Sequence, residues 1–115
     1  MRALVPLLAL TVACARSDDR WVEALADPDP FERALAALAL CEQAPERAPL
    51  ALDVLLETVD RSELGLGAVA ARSLEIPARI APNQLRKRLS TDPFMTTERR
   101  RALQAALRAV GAERP

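Results

Sequence analysis

The chain has 115 residues, half of them hydrophobic, with equal numbers of acids and bases and a net charge of zero. This length favours one domain. The absence of His and Tyr removes imidazole chemistry and phenol chemistry at once, and only three aromatic residues leave little to stack on a nucleic-acid base. Ala, Leu and Arg dominate and Gly is scarce, with three. That is a helix-forming composition, and no β-branched run is long enough to predict a strand.

In chain order, residues 1–13 read as a targeting segment. Arg2 is the only charge before an apolar run from Leu4 to Val12, which is far too short to span a bilayer but suits the core of a signal peptide. The run ends Leu10-Thr11-Val12-Ala13-Cys14. This resembles a bacterial lipobox, with a small residue before an obligatory Cys, although Thr11 stands where Leu is preferred. The resemblance implies cleavage after Ala13, acylation of Cys14, and a position in the cell envelope facing the periplasm. Several acyl chains would make that anchor stable. By the same analogy, Ala15 after the Cys, in place of Asp, leans toward the outer membrane rather than the inner. The alternative is an uncleaved N-terminal helix on a cytoplasmic protein.

Residues 14–19 then form a lipidated Cys and short tether, in which Ser17, Asp18 or Asp19 can cap the helix that follows. Residues 20–111 are expected to fold as one helical domain, with 112–115 as a tail. Trp21, Val22 and Leu25 give the first helix an apolar edge. Asp27-Pro28-Asp29-Pro30 then breaks the chain. Asp29 is a good N-cap, Pro30 suits the first helical position, and Glu32 stands where a capping box needs it. The second helix, about Pro30 to Glu42, carries Phe31, Leu35, Leu38 and Cys41 on one stripe, broadened by Ala34, Ala36, Ala37 and Leu40.

Pro45 and Pro49 mark the next break. The third helix has Leu52, Leu55, Leu56 and Val59 at helical spacing. Asp60 and Glu63 offer a second capping-box pattern, and a fourth helix holds Leu66, Val69, Ala70 and Leu74, weakened by Gly65 and Gly67. Pro77 and Pro82 predict a third break. A short fifth helix places Leu85 and Leu89 inward, with Arg86, Lys87 and Arg88 largely outward. Asp92-Pro93-Phe94 echoes Asp29-Pro30-Phe31. Thr96 or Thr97 caps a last helix whose stripe is Ala102, Leu103, Ala106, Leu107 and Val110, and Gly111 is its expected stop.

Arg33, Ala36, Ala37 and Leu40 align with Gly67, Ala70, Ala71 and Leu74, each 34 residues on, and then with Arg99, Ala102, Leu103 and Ala106, each 32 further on. A helical hairpin of this size needs neighbours to bury its apolar face. Leu25-Ala-Asp-Pro-Asp-Pro-Phe-Glu-Arg33 with the Ala-Ala-Leu face behind it resembles a HEAT-type repeat. The resemblance implies an all-α fold, a short right-handed α-solenoid of about three HEAT-like hairpins joined by Asp-Pro turns. It is weakest in the second unit, where Gly67 replaces the Arg, so the family's ladder of turn Asp and helix Arg is expected to be incomplete.

No catalytic constellation, cofactor motif or metal-ligand spacing is legible. Gly65-Leu66-Gly67 lacks the further glycine and the preceding strand of a nucleotide-binding turn. Charge is segregated: residues 15–63 hold twelve acids and five bases, residues 64–115 four acids and ten bases. Either this is a solvated surface, or the charged ends meet partners. The expectation is a non-enzymatic, membrane-anchored protein-binding or scaffold module with an unidentified protein partner and no nucleic-acid partner. The rivals are a cytosolic adaptor or regulatory subunit, and, by fold analogy with HEAT-type chromophore lyases, an enzyme accessory protein. The candidate contact residues are Arg86, Lys87, Arg88, Arg99, Arg100 and Arg101 on the basic side and Asp27, Asp29 and Glu32 on the acidic side. Oppositely charged ends also allow head-to-tail self-association.

Overall fold

The structure is a computed structural model that describes residues 17–112. The expected signal peptide and Cys14 lie outside the described residues. Within them the fold is all-α: helices α1 (Ser17–Ala24), α2 (Pro30–Gln43), α3 (Leu52–Asp60), α4 (Gly67–Ser73), α5 (Glu75–Ile80), α6 (Pro82–Thr91) and α7 (Thr97–Ala112). Two 3₁₀ segments, Pro45–Ala51 and Ser62–Leu64, flank α3. α1 packs on α2, α3 on α4, and α6 on α7, and α2, α3, α4 and α5 carry contacts between these pairs.

Prolines set the breaks. The stretch before α3, which holds Pro45 and Pro49, winds as a 3₁₀ helix. Ala48 and Ala51, three residues apart, then fall on the same side, as a three-fold helix requires, and both are fully buried. This segment packs against α5. Pro77 does not end its helix as expected. The chain stays helical to Ile80, but Pro77 cannot donate to the Ser73 carbonyl, and Ser73 is where α4 ends and α5 takes over.

The first turn is built as Asp29 dictates: its carboxylate accepts from the Phe31 N–H at 3.0 Å. The expected capping box does not form, because Asp27 Oδ1 takes the Asp29 N–H at 2.9 Å, leaving Glu32 exposed. The second expected box also fails. Asp60 accepts bonds from Thr96 and Arg99, and Leu66, the N-cap of α4, gives it no side-chain cap. Thr96 does cap α7, with its hydroxyl accepting from the Arg99 N–H at 3.1 Å. Gly111 is no stop: α7 continues to Ala112. α1 is already helical at Ser17, so Asp18 and Asp19 sit in its first turn rather than in a tether.

The core is made of Ala and Leu: Ala37, Leu40, Ala44, Leu55, Leu56, Ala70, Leu74, Leu85 and Leu103 are sealed from solvent. Small side chains let helix backbones approach, so burial comes from closeness rather than bulk. The aligned triplets of the repeat all point into it, with only Ala71 half-buried. The α2 stripe departs from expectation at two positions. Ala34, Ala36, Ala37, Leu40 and Cys41 are buried, whereas Phe31 and Leu35 are exposed at 41% and 39%. Among the described residues no buried side-chain nitrogen or oxygen lacks a partner; Thr58, the buried polar residue, donates its hydroxyl to the Val54 carbonyl at 2.7 Å.

Candidate functional site

The chain's polar organisation centres on the C-terminal end of α3, which two arginines grip from opposite hairpins. Arg33, on the first turn of α2, donates Nε and one Nη to the two oxygens of Glu57 at 3.0 and 2.7 Å. Its other Nη donates to the carbonyls of Asp27 and Pro28 at 2.7 and 3.1 Å, closing its own turn. Such a bidentate fork is a geometry that Lys cannot reproduce. Arg61 reaches Glu57 from the other side at 3.3 Å. The hydrogen bond from Arg33 holds the Glu57 carboxyl below its ordinary range, and the same contact raises Arg33.

Arg99, at the aligned position of α7, repeats the arrangement. Its Nε donates to Asp60 at 2.5 Å and its Nη1 to Asp92 at 3.1 Å. Asp92 also accepts from the Phe94 N–H at 2.8 Å, the same local bond that Asp29 makes to Phe31. The Asp92 side chain is only 3% exposed. Burial pushes its pKa up, but the Phe94 N–H and Arg99 outweigh this and hold it below the ordinary value. The second unit has glycine where the others have arginine. Gly67 lies against the end of α3, where a β-carbon would sit 3.4 Å from the Val59 carbonyl oxygen, an ordinary contact. The middle hairpin thus supplies the carboxylates, Glu57 and Asp60, and its neighbours supply the arginines.

The candidate basic residues divide accordingly. Arg99 is withdrawn from the surface set: its side chain is 16% exposed and spent on Asp60 and Asp92. Arg88 pairs with Asp53 on α3, and Arg86 bonds Asn83 at 2.8 Å on its own helix. Lys87 and Arg88 line a cleft of about 310 Å³ with Leu50, Asp53 and Thr91, where α6 meets the 3₁₀ segment and α3. Arg100 and Arg101 are exposed, but Arg101 lines a different cleft, of about 610 Å³, with Gly67, Ala68, Ala71, Glu98 and Ala102. The expected convergence of α6 and α7 cations therefore splits between two clefts. On the acidic side Asp27 and Asp29 are committed to the turn, while Glu32 and Glu42 point to solvent.

Sequence reasoning missed the groove between α4–α5 and α7. The cleft holding Arg101 shares Ala71 and Ala102 with a second cleft lined by Arg72, Glu75, Ala105 and Ala106. That one shares Arg72 and Glu75 with a third, which adds Val69, Ile76 and Arg79. Together they make a seam with an alanine floor and charged rims. The small residues that marked the repeat also marked this floor, but which alanines stay uncovered depends on how the helices pair.

Cys41 is buried, and desolvation pushes its thiol up to about 11, far from a reactive thiolate. Among the described residues no three His, Cys, Asp or Glu side chains are grouped to hold a metal, and no helix is long and apolar enough to cross a membrane. The chain matches no family model, no curated protein and no solved structure.

Proposed function

We propose that the chain is a non-enzymatic protein-binding or scaffold module, a short right-handed solenoid of three HEAT-like hairpins held at a membrane by lipid on Cys14. One observation carries the binding reading. Large apolar side chains stand outside a core of Ala and Leu: Phe31, Leu35, Leu50, Val69, Ile80 and Phe94 are exposed, the last at 74%. Exposed bulk beside buried small residues, in a fold that had bulk available for its core, fits a surface kept for contact. The solenoid reading rests on the three successive helix pairs and on the arginine clamps that tie each outer pair to the middle one. The anchor rests on the lipobox-like Leu10–Cys14 alone. It places the module in the cell envelope, facing the periplasm, with the outer membrane favoured by Ala15.

The test is labelled-palmitate incorporation into the wild-type protein and Cys14→Ala, in a bacterium that processes lipoproteins. Label on the wild type and none on the variant is expected. No label, with Met1 retained in the intact mass, would overturn the anchor and leave a cytosolic adaptor of the same fold.

A further inference from the structure

Two outer hairpins of opposite charge flank the middle one. Residues 17–43 carry seven acids and two bases; residues 82–112 carry seven bases and two acids. The first of these hairpins also presents a ridge. On α2, Phe31, Leu35, the half-buried Leu38 and Ala39, and Glu42 recur at three- to four-residue spacing along the solvent face, with Glu32 beside them. The other end presents a seam. Its floor is the exposed Ala68 and Ala105 and the half-buried Ala71, with Ala102 and Ala106 buried beneath them, and Arg72 and Arg101 stand exposed on its rims, neither paired with a carboxylate among the described residues. Arg101, Ala105 and Arg108 fall at i, i+4 and i+7, so a third cation continues that rim along α7.

We infer that the partner for this seam is a second copy of the chain, whose α2 ridge docks on the alanine floor while Glu32 and Glu42 meet Arg72, Arg101 and Arg108. This deepens the binding reading above by naming its partner. Large side chains on one helix fit a groove of small ones because backbones can then approach within helix-packing distance. The same carboxylates disfavour pairing of two α2 ridges, and the same arginines disfavour pairing of two seams. The contact therefore joins unlike surfaces, and a docked pair still offers one free ridge and one free seam. Such a heterologous contact grows into a ring or an open chain of molecules rather than stopping at a two-fold dimer.

The experiment uses the full chain carrying Cys14→Ala to prevent acylation, in sedimentation velocity across a range of concentrations. Wild-type ends should associate in about 0.02 M salt and weaken about tenfold in about 0.5 M salt, where charge is screened beyond a few ångströms. The pair Leu35→Arg/Glu42→Arg blocks the ridge, and Arg72→Glu/Arg101→Glu blocks the seam. All four positions are exposed, so helical content and melting temperature should hold. Each variant alone should be monomeric. Mixed, they should form a one-to-one heterodimer and nothing larger, because one intact ridge then meets one intact seam. A monomeric parent chain at both salt levels would overturn self-docking while leaving a foreign partner open. Association that ignores both pairs of substitutions, as stacking through the apolar run Leu4–Val12 would, also overturns it. So does a mixture in which the variants stay monomeric.

Discussion

Replacing Arg99 by Met tests whether the clamps hold the hairpins together. Methionine keeps most of the aliphatic stem but removes both hydrogen bonds. Asp60 loses little, since its side chain is 24% exposed and keeps the Thr96 hydroxyl at 2.7 Å. Asp92 loses the one cation that lies within hydrogen-bond distance of it among the described residues and is left, almost sealed from water, with the Phe94 N–H. Breaking a fully buried pair costs about 3–5 kcal/mol; with Asp60 and Arg99 partly hydrated, the expectation here is about 2–3 kcal/mol. A domain of this size has about 5 kcal/mol in total, so the unfolded population should rise about 30- to 160-fold. Urea denaturation followed by far-ultraviolet circular dichroism reads this directly. The pH dependence supplies a second check. Because the folded state holds Asp92 below its ordinary value, the clamp's stabilisation is present above about pH 4 and lost as pH falls through the folded value. The deficit of Arg99→Met should therefore be largest at neutral pH and shrink toward pH 3. Arg99→Lys should recover less than half of it, since one ammonium cannot fork between two carboxylates. Combining Arg99→Met with Asp92→Asn should show a coupling of at least about 1 kcal/mol. A deficit below about 0.5 kcal/mol, or one that does not change with pH, would refute the clamp.

Three further outcomes are expected. Gly65 has φ of +72° with nothing within 4 Å of a β-carbon, so Gly65→Ala should cost about 1–2 kcal/mol through the backbone alone. Gly111→Ala, inside α7 and equally uncrowded, should be neutral or stabilise by up to about 1 kcal/mol; paired urea titrations decide both. Glu57, held low by Arg33, contributes stability that is complete above about pH 4.5 and lost as pH falls through its folded value. An acid titration of Glu57→Gln should start from a lower plateau and fall less steeply than the wild type. Cys41 should resist thiol reagents at pH 8 in the native protein and react fully in urea, because its thiol is both buried and poorly ionised.

The helices and most of their limits were legible in the sequence because they rest on local chemistry. Asp29 and Thr96 cap by short-range bonds, and Pro49 removes one donor at a fixed place. The repeat of Arg33, Ala36, Ala37 and Leu40 announced which faces turn inward. Where the reading went astray, a neighbour had intervened. Asp27 reached the N–H that Glu32 was expected to take, and Asp60 was claimed by Arg99 from 39 residues away. Pro77 bent a helix instead of ending it.

By itself the sequence determined an all-helical chain with acids concentrated in its first half and bases in its second, since propensity, capping and periodicity are properties of near neighbours. Only the tertiary structure decided that Phe31 and Leu35 stay outside, and that Arg99 faces inward while Arg101 lines a groove. Those choices depend on which helices meet. An Ala-rich helix offers two plausible apolar faces, and the one that lets backbones come closest takes the core.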